Sequence, residues 1–210
     1  MRRVKGKMDK EKIKNCVREI LKEIGEDVNR EGIQSTPDRI SRLYSNQFYG
    51  YKKKLVAMNE YERNNNSSKD IIPITTFLCE SKEMLIRSVK FISHCEHHMV
   101  PFAGTAYIAI IPDKILLGMN KIDKIVKFFS AKLQIQERLT TEIADWIEKN
   151  IKPVGVGVII KADHFCAKLQ GDEGEFITSA MRGEFFKPNL AKGNPREEFL
   201  KLIDLYGGVK

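Results

Sequence analysis

Two short stretches of the sequence hold all four histidines and two of the four cysteines. The first is His94-Cys95-Glu96-His97-His98, and the second, far along the chain, is His164-Phe165-Cys166. Cys95 and His98 have a C-x-x-H spacing, with which a single turn can direct two side chains at one metal ion. Thiolate and imidazole are the ligands that zinc prefers. A metal site therefore explains the two stretches better than scattered core histidines and buried cysteines do.

The second stretch follows residues 154–162, a run whose apolar residues alternate with period two. This pattern predicts a half-buried strand. If the strand continues, His164 and Cys166 point to the same face, because alternate residues of a strand share a face. The end of this strand would then present one imidazole and one thiol side by side.

The residues leave two kinds of metal site open. Cys95, His98 and Cys166 supply three ligands, and a catalytic zinc keeps a fourth position open. Alternatively, one further histidine closes the shell and makes a structural Cys₂His₂ site; the candidates are His94, His97 and His164.

The pattern favours metal-assisted hydrolysis over a structural zinc. A spare histidine beside each group of ligands suits proton transfer next to a metal-bound water. Glu96 is placed to orient a ligand or a water.

Composition narrows the class of protein. A chain of 210 residues with 42% hydrophobic content can bury a sizeable core. Its formal net charge is +8, but the lysines are spread along the chain and interleaved with acids, which argues against nucleic acid as a partner. No apolar run is long enough to span a membrane, so no membrane partner is expected.

The sequence also predicts a cytoplasmic protein. Its first residues are basic and lack the apolar core of a secretory signal peptide. Thiols stay reduced in the cytoplasm, where Cys and His sets more often bind metal than form disulfides. Cys16 and Cys79 lie within mostly apolar patterns that are typical of core residues.

The order of predicted elements indicates an α+β fold. Residues 1–70 are expected to form an N-terminal helical arm followed by a flexible polar loop over residues 52–70, and residues 71–210 a catalytic domain. The domain pattern is strands, two helices, a strand and an irregular tail ending in a short helix with Phe199, Leu200 and Ile203 facing inward. We therefore expect an antiparallel sheet covered on one face by helices. Its open edges favour a homo-oligomer.

Two further groups of residues are weaker signals. Asn120, Lys121 and Lys124 lie at the start of a predicted helix, where the dipole and two lysines one turn apart attract phosphate. Gln136 and Glu137 begin the next helix and together can recognise the edge of a purine.

Several motifs in order resemble the GTP cyclohydrolase I family. They are Glu31-Gly-Ile-x-x-Thr-Pro-x-Arg-Ile40, Cys95-Glu-His-His-Met-Val-Pro-Phe-x-Gly104, Lys121-Ile-x-x-Ile-Val126, Gln134-x-Gln-Glu-Arg-Leu-Thr140, His164-x-Cys166 and Arg196-x-Glu-Phe-Leu200. The resemblance covers almost the whole chain. It implies a tunnelling fold, with an antiparallel four-stranded sheet and two helices on one face, assembled into an oligomeric β-barrel ring. A decamer with active sites between subunits is implied as well.

The resemblance also implies a reaction and roles for residues. In that family zinc assists the addition of water to C8 of GTP, the imidazole ring opens, formate leaves, and the product is 7,8-dihydroneopterin triphosphate. Zinc would be held by Cys95, His98 and Cys166, and the proton shuttle would be His97 and His164. Guanine recognition would fall on Gln136 and Glu137, and phosphate contacts on Lys121 and its neighbours.

The chain departs from the family pattern at the phosphate end. Asn120 stands where the family usually has Ser, and Lys124 where it usually has Arg. Gln170 replaces the Arg of a usual Met-Arg-Gly, and the acidic loop 172–176 after it looks shorter than usual. These departures keep two alternatives open. One is a diverged member acting on a less phosphorylated guanine nucleotide, and the other is a non-catalytic, zinc-stabilised module that binds nucleic acid.

Overall fold

The computed structural model describes residues 8–189, 191 and 193–205. The basic residues that begin the sequence lie outside this set. The chain divides into two compact units, one ending at Lys52 and the other beginning at Lys53. None of the helices formed by the described residues is long and apolar enough to cross a membrane.

The first unit is helical, as predicted. Its elements are α1 (Lys10–Glu23), α2 (Glu31–Gln34), α3 (Thr36–Gln47) and a 3₁₀ turn (Tyr49–Tyr51). The Asp9 carboxylate starts α1 by accepting the backbone N–H groups of Glu11 and Lys12 at 3.0 and 3.1 Å. The Ser41 hydroxyl of α3 donates to the carbonyl of Lys10 at 3.2 Å, which joins the two long helices.

The predicted flexible loop over residues 52–70 was wrong. This stretch forms strand β1 (Lys54–Met58) and the short helix α4 (Glu60–Asn64). β1 pairs in parallel with β2 (Ile71–Leu78). α4 begins with a capping box in which Asn59 and Glu62 exchange side-chain and backbone hydrogen bonds of 2.8 and 3.0 Å. The available sequence signal for this helix was an N-x-x-E capping motif after a short apolar run, and it was overlooked because the stretch is polar.

The predicted antiparallel four-stranded sheet is confirmed. Its strands are β3 (Leu85–Cys95), β4 (Pro101–Ile111), β7 (Gly155–His164) and β8 (Phe176–Gly183). The two-residue strand β6 (Leu133–Gln134) adds in parallel to the end of β3. A second sheet has the order β1-β2-β5, where β5 is Ile115–Leu117.

Two helices lie on the main sheet, in agreement with the two helices expected between the strands. α5 (Met119–Ser130) packs on β3, and α6 (Gln136–Ile151) packs on β7 and β8. Fully buried side chains line both helices; they include Ile122, Ile125, Val126, Leu139, Ile143 and Ile147. The helices meet the apolar faces of strands whose side chains alternate, as expected for an α+β layer.

The last helix, α8 (Pro195–Leu205), covers a different part of the sheet. Phe199 is fully buried and packs with Phe185 and Ile159. A Cβ at Gly157 would lie 3.0 Å from both aromatic rings, so the glycine of β7 makes room for them. The prediction for Leu200 was wrong, because 45% of this residue is exposed.

Strand pairing brings the end of β3, the start of β4 and the end of β7 together at one end of the main sheet. β3 and β4 pair so that His94 lies opposite Pro101, and β4 and β7 pair so that Phe102 lies opposite His164. The residues that follow His94 and His164 are therefore neighbours in space, although they are distant in the sequence.

Candidate functional site

The turn from Cys95 to Val100 positions the first two candidate ligands. The Cys95 N–H donates to the Val100 carbonyl at 2.9 Å, and the Met99 N–H donates to the Cys95 carbonyl at 2.8 Å. Met99 adopts a left-handed conformation with φ 56°, which lets the chain reverse direction within a few residues. The turn brings Cys95 Sγ to 3.8 Å from His98 Nδ1.

Cys166 completes the group from the end of β7. The strand stops at His164, and Cys166 lies in α7 (Phe165–Lys168), a single helical turn. The expectation that His164 and Cys166 share a strand face was therefore wrong. The helical turn α7 instead places the Cys166 thiol close to the β3–β4 connection.

The donor atoms of Cys95, His98 and Cys166 all lie within 4.8 Å of one another. A tetrahedral zinc with these donors separates neighbouring sulfur and nitrogen atoms by about 3.5–3.8 Å. The set therefore fits a borderline-soft cation such as zinc. Both cysteines are nearly buried, with 5% and 9% exposure, and burial together with the neighbouring Cys95 raises the pKa of the Cys166 thiol.

The other thiols do not join the group. Cys16 is exposed and Cys79 is partly exposed, so the prediction that they are core residues was wrong. All four cysteines are free.

Among the described residues, no further histidine belongs to the ligand group. His94 is buried within β3, and burial lowers its pKa. The His97 side chain is 66% exposed, and its Nε2 lies 4.0 Å from Glu96 Oε1. The described residues thus bring together the three candidate ligands of the open site, without the second histidine that a closed Cys₂His₂ site needs.

His164 lies in a tightly defined pocket. Its ring stacks on Phe102 with centroids 4.6 Å apart and planes 4° from parallel, and it makes a T-shaped contact with Phe176, with centroids 5.0 Å apart. Its Nε2 is 2.9 Å from Gln136 Oε1. Burial lowers the pKa of His164, while the charges of Glu137 and Asp163 act in the opposite direction.

Glu96 is tied down by Arg138, a residue that the sequence analysis missed. Arg138 Nη2 pairs closely with the Glu96 carboxylate, and Arg138 Nε donates to Gln134 Oε1 at 2.9 Å. The hydrogen bond from Arg138 is the main reason that the pKa of Glu96 lies below its ordinary value. The i, i+4 spacing of Gln134 and Arg138 at a helix start was the one available signal.

The start of α5 carries a group of cations. Lys121 and Lys124 lie in its first turns, and Asn120 is exposed beside them. Burial lowers the pKa of Lys121, and the nearby charges of Lys124 and Arg63 add to the effect. Over the described part of the chain, none of these three cations pairs with a carboxylate.

Arg63 was also missed. It lies in α4, within the polar stretch that the sequence analysis assigned to a loop. Recognising the Asn59 capping box would have predicted the helix, but not its approach to α5, which depends on both helices packing on β2.

The cations and the candidate ligands occupy opposite ends of α5. Near its start, Asp123 accepts two 3.0 Å hydrogen bonds from Arg87, which lies early in β3. At its end, the Ser130 carbonyl accepts the Ser93 hydroxyl at 2.9 Å, close to Cys95. Arg87 and Cys95 are separated by about 27 Å along the strand.

The other site residues predicted from the sequence lie in two places, at the start of α6 and just after α7. Gln136 and Glu137 begin α6, beside His164; Gln136 is buried and Glu137 is exposed. Gln170 is exposed, and its Nε2 donates to the Cys166 carbonyl at 2.9 Å. Two acids near Gln170 pair with lysines: Asp163 with Lys168 at 2.8 Å and Glu175 with Lys161 at 2.9 Å.

The sequence matches a known protein family over most of its length. The family model described as GTP cyclohydrolase I matches residues 13–204. The chain belongs to the GTP cyclohydrolase I family. The resemblance drawn from the motifs is therefore confirmed.

Individual GTP cyclohydrolase I relatives match over nearly their full length. GTP cyclohydrolase 1 of Aquifex aeolicus is 42% identical over 93% of this chain and 97% of the relative. Those of Leptospira biflexa and Caldanaerobacter subterraneus are each 41% identical, over 91% and 94% of this chain and 97% and 98% of the relative. The solved structure of the archaeosine synthase QueF-Like in the apo form shares 16% identity with a TM-score of 0.44. It covers 50% of this chain and 97% of its own.

The Arg138–Glu96 pair predicts a pH-dependent contribution to stability. We expect Arg138→Met to lower the free energy of unfolding by about 1–2 kcal/mol near neutral pH, between an exposed ion pair and a charged hydrogen bond. Because the pair lowers the pKa of Glu96, its contribution is complete above the unfolded value of about 4.3. It is lost as the pH falls through the lower folded value.

Urea unfolding of both proteins over a pH series measures this difference. Lys22→Met is the control: it removes an exposed ion pair with Glu19 and should change stability by less than about 0.5 kcal/mol. If the difference in the free energy of unfolding between wild type and Arg138→Met stays constant as the pH falls into the acidic range, the pH-dependent role of the Arg138–Glu96 pair is contradicted.

Proposed function

We propose that this chain hydrolyses the imidazole ring of the guanine of GTP, releases formate, and produces 7,8-dihydroneopterin triphosphate. This would be the first step of folate and pterin biosynthesis. The family membership supports the reaction class, and the three-donor group beside His164 and Glu137 is the observation that carries the proposal. The thiol donors require a reducing compartment, which supports a cytoplasmic location.

The donor set supports zinc as the cofactor. Cys95, His98 and Cys166 would hold it and leave one tetrahedral position for water or substrate. When bound, zinc supplies Lewis acidity and lowers the pKa of water toward neutrality.

We assign proton transfer to His97 and His164. His97 is exposed beside Glu96, so it can exchange protons with solvent and substrate. His164 is held by Phe102 and Gln136, and the lowered pKa keeps its imidazole neutral and able to accept a proton.

Guanine recognition is assigned to Glu137. Its exposed carboxylate lies in the first turn of α6, close enough to His164 to influence that residue's pKa, which supports a role beside the reacting ring. A carboxylate can accept from two adjacent N–H groups, as guanine offers. The amide of Gln136, which the resemblance also assigns to guanine, is already engaged at both ends within the chain.

Phosphate binding is assigned to Lys121 and Lys124, with Asn120 beside them and Arg63 as a third cation. Three unneutralised cations near a helix N-terminus attract a polyphosphate. These cations lie almost the length of β3 from the ligands of the same chain. That separation exceeds the reach of one nucleotide from its base to its last phosphate.

We therefore propose that each active site joins the ligand end of one subunit to the cation end of another, in a homo-oligomeric ring, as a decamer. Light scattering should give a decameric mass, and a monomer would contradict the proposal. Co-expression of Lys121→Ala with Cys166→Ser should restore part of the activity that each variant lacks, since some mixed sites are intact. Co-expression of Cys95→Ser with Cys166→Ser, which alter the same end, should restore none.

The first test of the reaction concerns the ligands. Purified protein should contain one zinc per chain and release formate from GTP with pterin fluorescence. Cys95→Ser and Cys166→Ser should lose both zinc and formate release, because two of three ligands are thiolates. Cys16→Ser, at an exposed thiol outside the group, should keep both. Stoichiometric zinc in both ligand variants would overturn the assignment.

The second test concerns the histidines. His97→Ala and His164→Ala should each retain zinc while turnover slows by about 10²-fold or more, the scale of a lost acid–base group. Metal analysis and steady-state kinetics measure the two effects separately. Loss of zinc from either variant would place that histidine among the ligands.

A less phosphorylated guanine nucleotide remains a second candidate substrate, because Gln170 stands where the family pattern has an arginine. A guanidinium offers phosphate two charge-assisted hydrogen bonds, whereas this amide already donates to the Cys166 carbonyl. Two other cations, Lys168 and Arg182, do not replace the missing guanidinium, because Lys168 pairs with Asp163 and Arg182 pairs with Asp145 at 2.7 Å.

Gln170→Arg should lower KM for GTP by about tenfold and lower KM for GDP less, since a charged hydrogen bond contributes about 1.5–3 kcal/mol. Kinetics with GTP, GDP, GMP and guanosine measure the preference. If KM stays the same for GTP and GDP, position 170 lies away from the phosphates.

A further inference from the structure

Gln136 is held by contacts that determine which way its side-chain amide points. It is 2% exposed, at the first position of α6. Its Nε2 lies 3.0 Å from the Ile160 carbonyl and 2.9 Å from the Phe176 carbonyl. Carbonyl oxygens only accept hydrogen bonds, so the atom facing them is the amide nitrogen. The amide oxygen therefore faces His164.

Two threonine hydroxyls reinforce this orientation. Thr140 Oγ1 lies 2.7 Å from the Gln136 carbonyl, to which it must donate, since a carbonyl has no hydrogen to give. Thr178 Oγ1 lies 2.6 Å from Thr140 Oγ1 and so donates to it. Thr178 then has a lone pair for Gln136 Nε2, 3.1 Å away. The hydrogen bonds run in one direction, and a flipped amide would place oxygen against two carbonyl oxygens.

The ring of His164 is as constrained as the amide. Phe102 stacks on one face and Phe176 makes a T-shaped contact with the ring, so the imidazole has little freedom to turn. Its Nε2 lies 2.9 Å from Gln136 Oε1, an atom that only accepts. Nε2 must therefore carry the hydrogen.

We infer that Gln136 is a positioning residue that holds neutral His164 in its Nε2–H tautomer and leaves Nδ1 as the free lone pair of the ring. The inference rests on the proposed function and refines it by naming the atom of His164 that accepts the proton. It also gives the two neighbouring residues different roles, because Glu137 contacts the substrate whereas Gln136 acts through His164.

Nitrogen NMR of the zinc-loaded, full-length protein with ¹⁵N-labelled histidine tests the tautomer directly. The chain has four histidines, and the signal of His164 is the one absent from His164→Ala. At mildly alkaline pH, wild-type His164 should show the Nε2–H tautomer alone. A neutral imidazole without such a partner exchanges between both tautomers, so detectable Nδ1–H in the wild type would overturn the inference.

Two buried glutamines provide a matched pair of variants. Gln136→Met removes the acceptor for His164 and should show both tautomers. We expect kcat to fall by about tenfold or more, with KM for GTP changed by less than about twofold. Gln134→Met removes another fully buried amide, which bonds to the Phe129 carbonyl, Glu142 and Arg138 and to none of the described histidines. Its His164 spectrum should match the wild type.

The outcomes separate this inference from the proposed function. If Gln136→Met raises KM while kcat and the tautomer are unchanged, Gln136 contacts guanine and the inference fails. If His164→Ala keeps full activity, proton transfer by His164 fails, whereas the tautomer result stands. The wild-type spectrum is decisive even if Gln136→Met does not fold.

Discussion

The candidate site depends on the pairing register of three antiparallel strands. His94 lies opposite Pro101, and Phe102 lies opposite His164, so the turn after β3 and the helical turn after β7 emerge side by side. A slip of one residue would move every side chain of a strand to the other face of the sheet. The fully buried residues along β4 and β7, such as Ile108 and Val158, oppose that slip because it would expose them. The apolar core thus fixes the spacing of the candidate ligands.

The start of α6 connects the parts of the site to this sheet. Within its first turn, Gln136 bonds to His164 and Arg138 pairs with Glu96 of the turn after β3. Glu137, between them, is exposed. Gln134, just before the helix, bonds to Arg138 and its carbonyl accepts the Glu96 N–H at 3.0 Å. A displacement of this helix end would therefore disturb the candidate acid–base residue and the ligand turn together. The distance between the ligands and the cations of α5, by contrast, supports a site that is complete only in an assembly.

Much of this arrangement could be predicted from the sequence, and the failures have physical causes. The clustering of scarce residue types identified Cys95, His98 and Cys166 before their contact was known, because few other roles explain such clusters. Periodicity found α5, α6 and the main strands. It failed at Cys166, because alternation cannot show where a strand ends. It also failed at residues 52–70, where a polar sequence is held by a capping box and by pairing with a distant strand. Arg63 and Arg138 were missed because their roles arise from tertiary contacts that local pattern does not encode.

X-ray absorption at the zinc edge tests the central claim, that three residues brought together by strand register make an open metal centre. The zinc-loaded protein should show two sulfur neighbours at about 2.3 Å and two nitrogen or oxygen neighbours at about 2.0–2.1 Å. Only one of the lighter neighbours should show the outer-shell scattering of an imidazole. Two imidazoles with two sulfurs would contradict the account, because the centre would then be a closed Cys₂His₂ site.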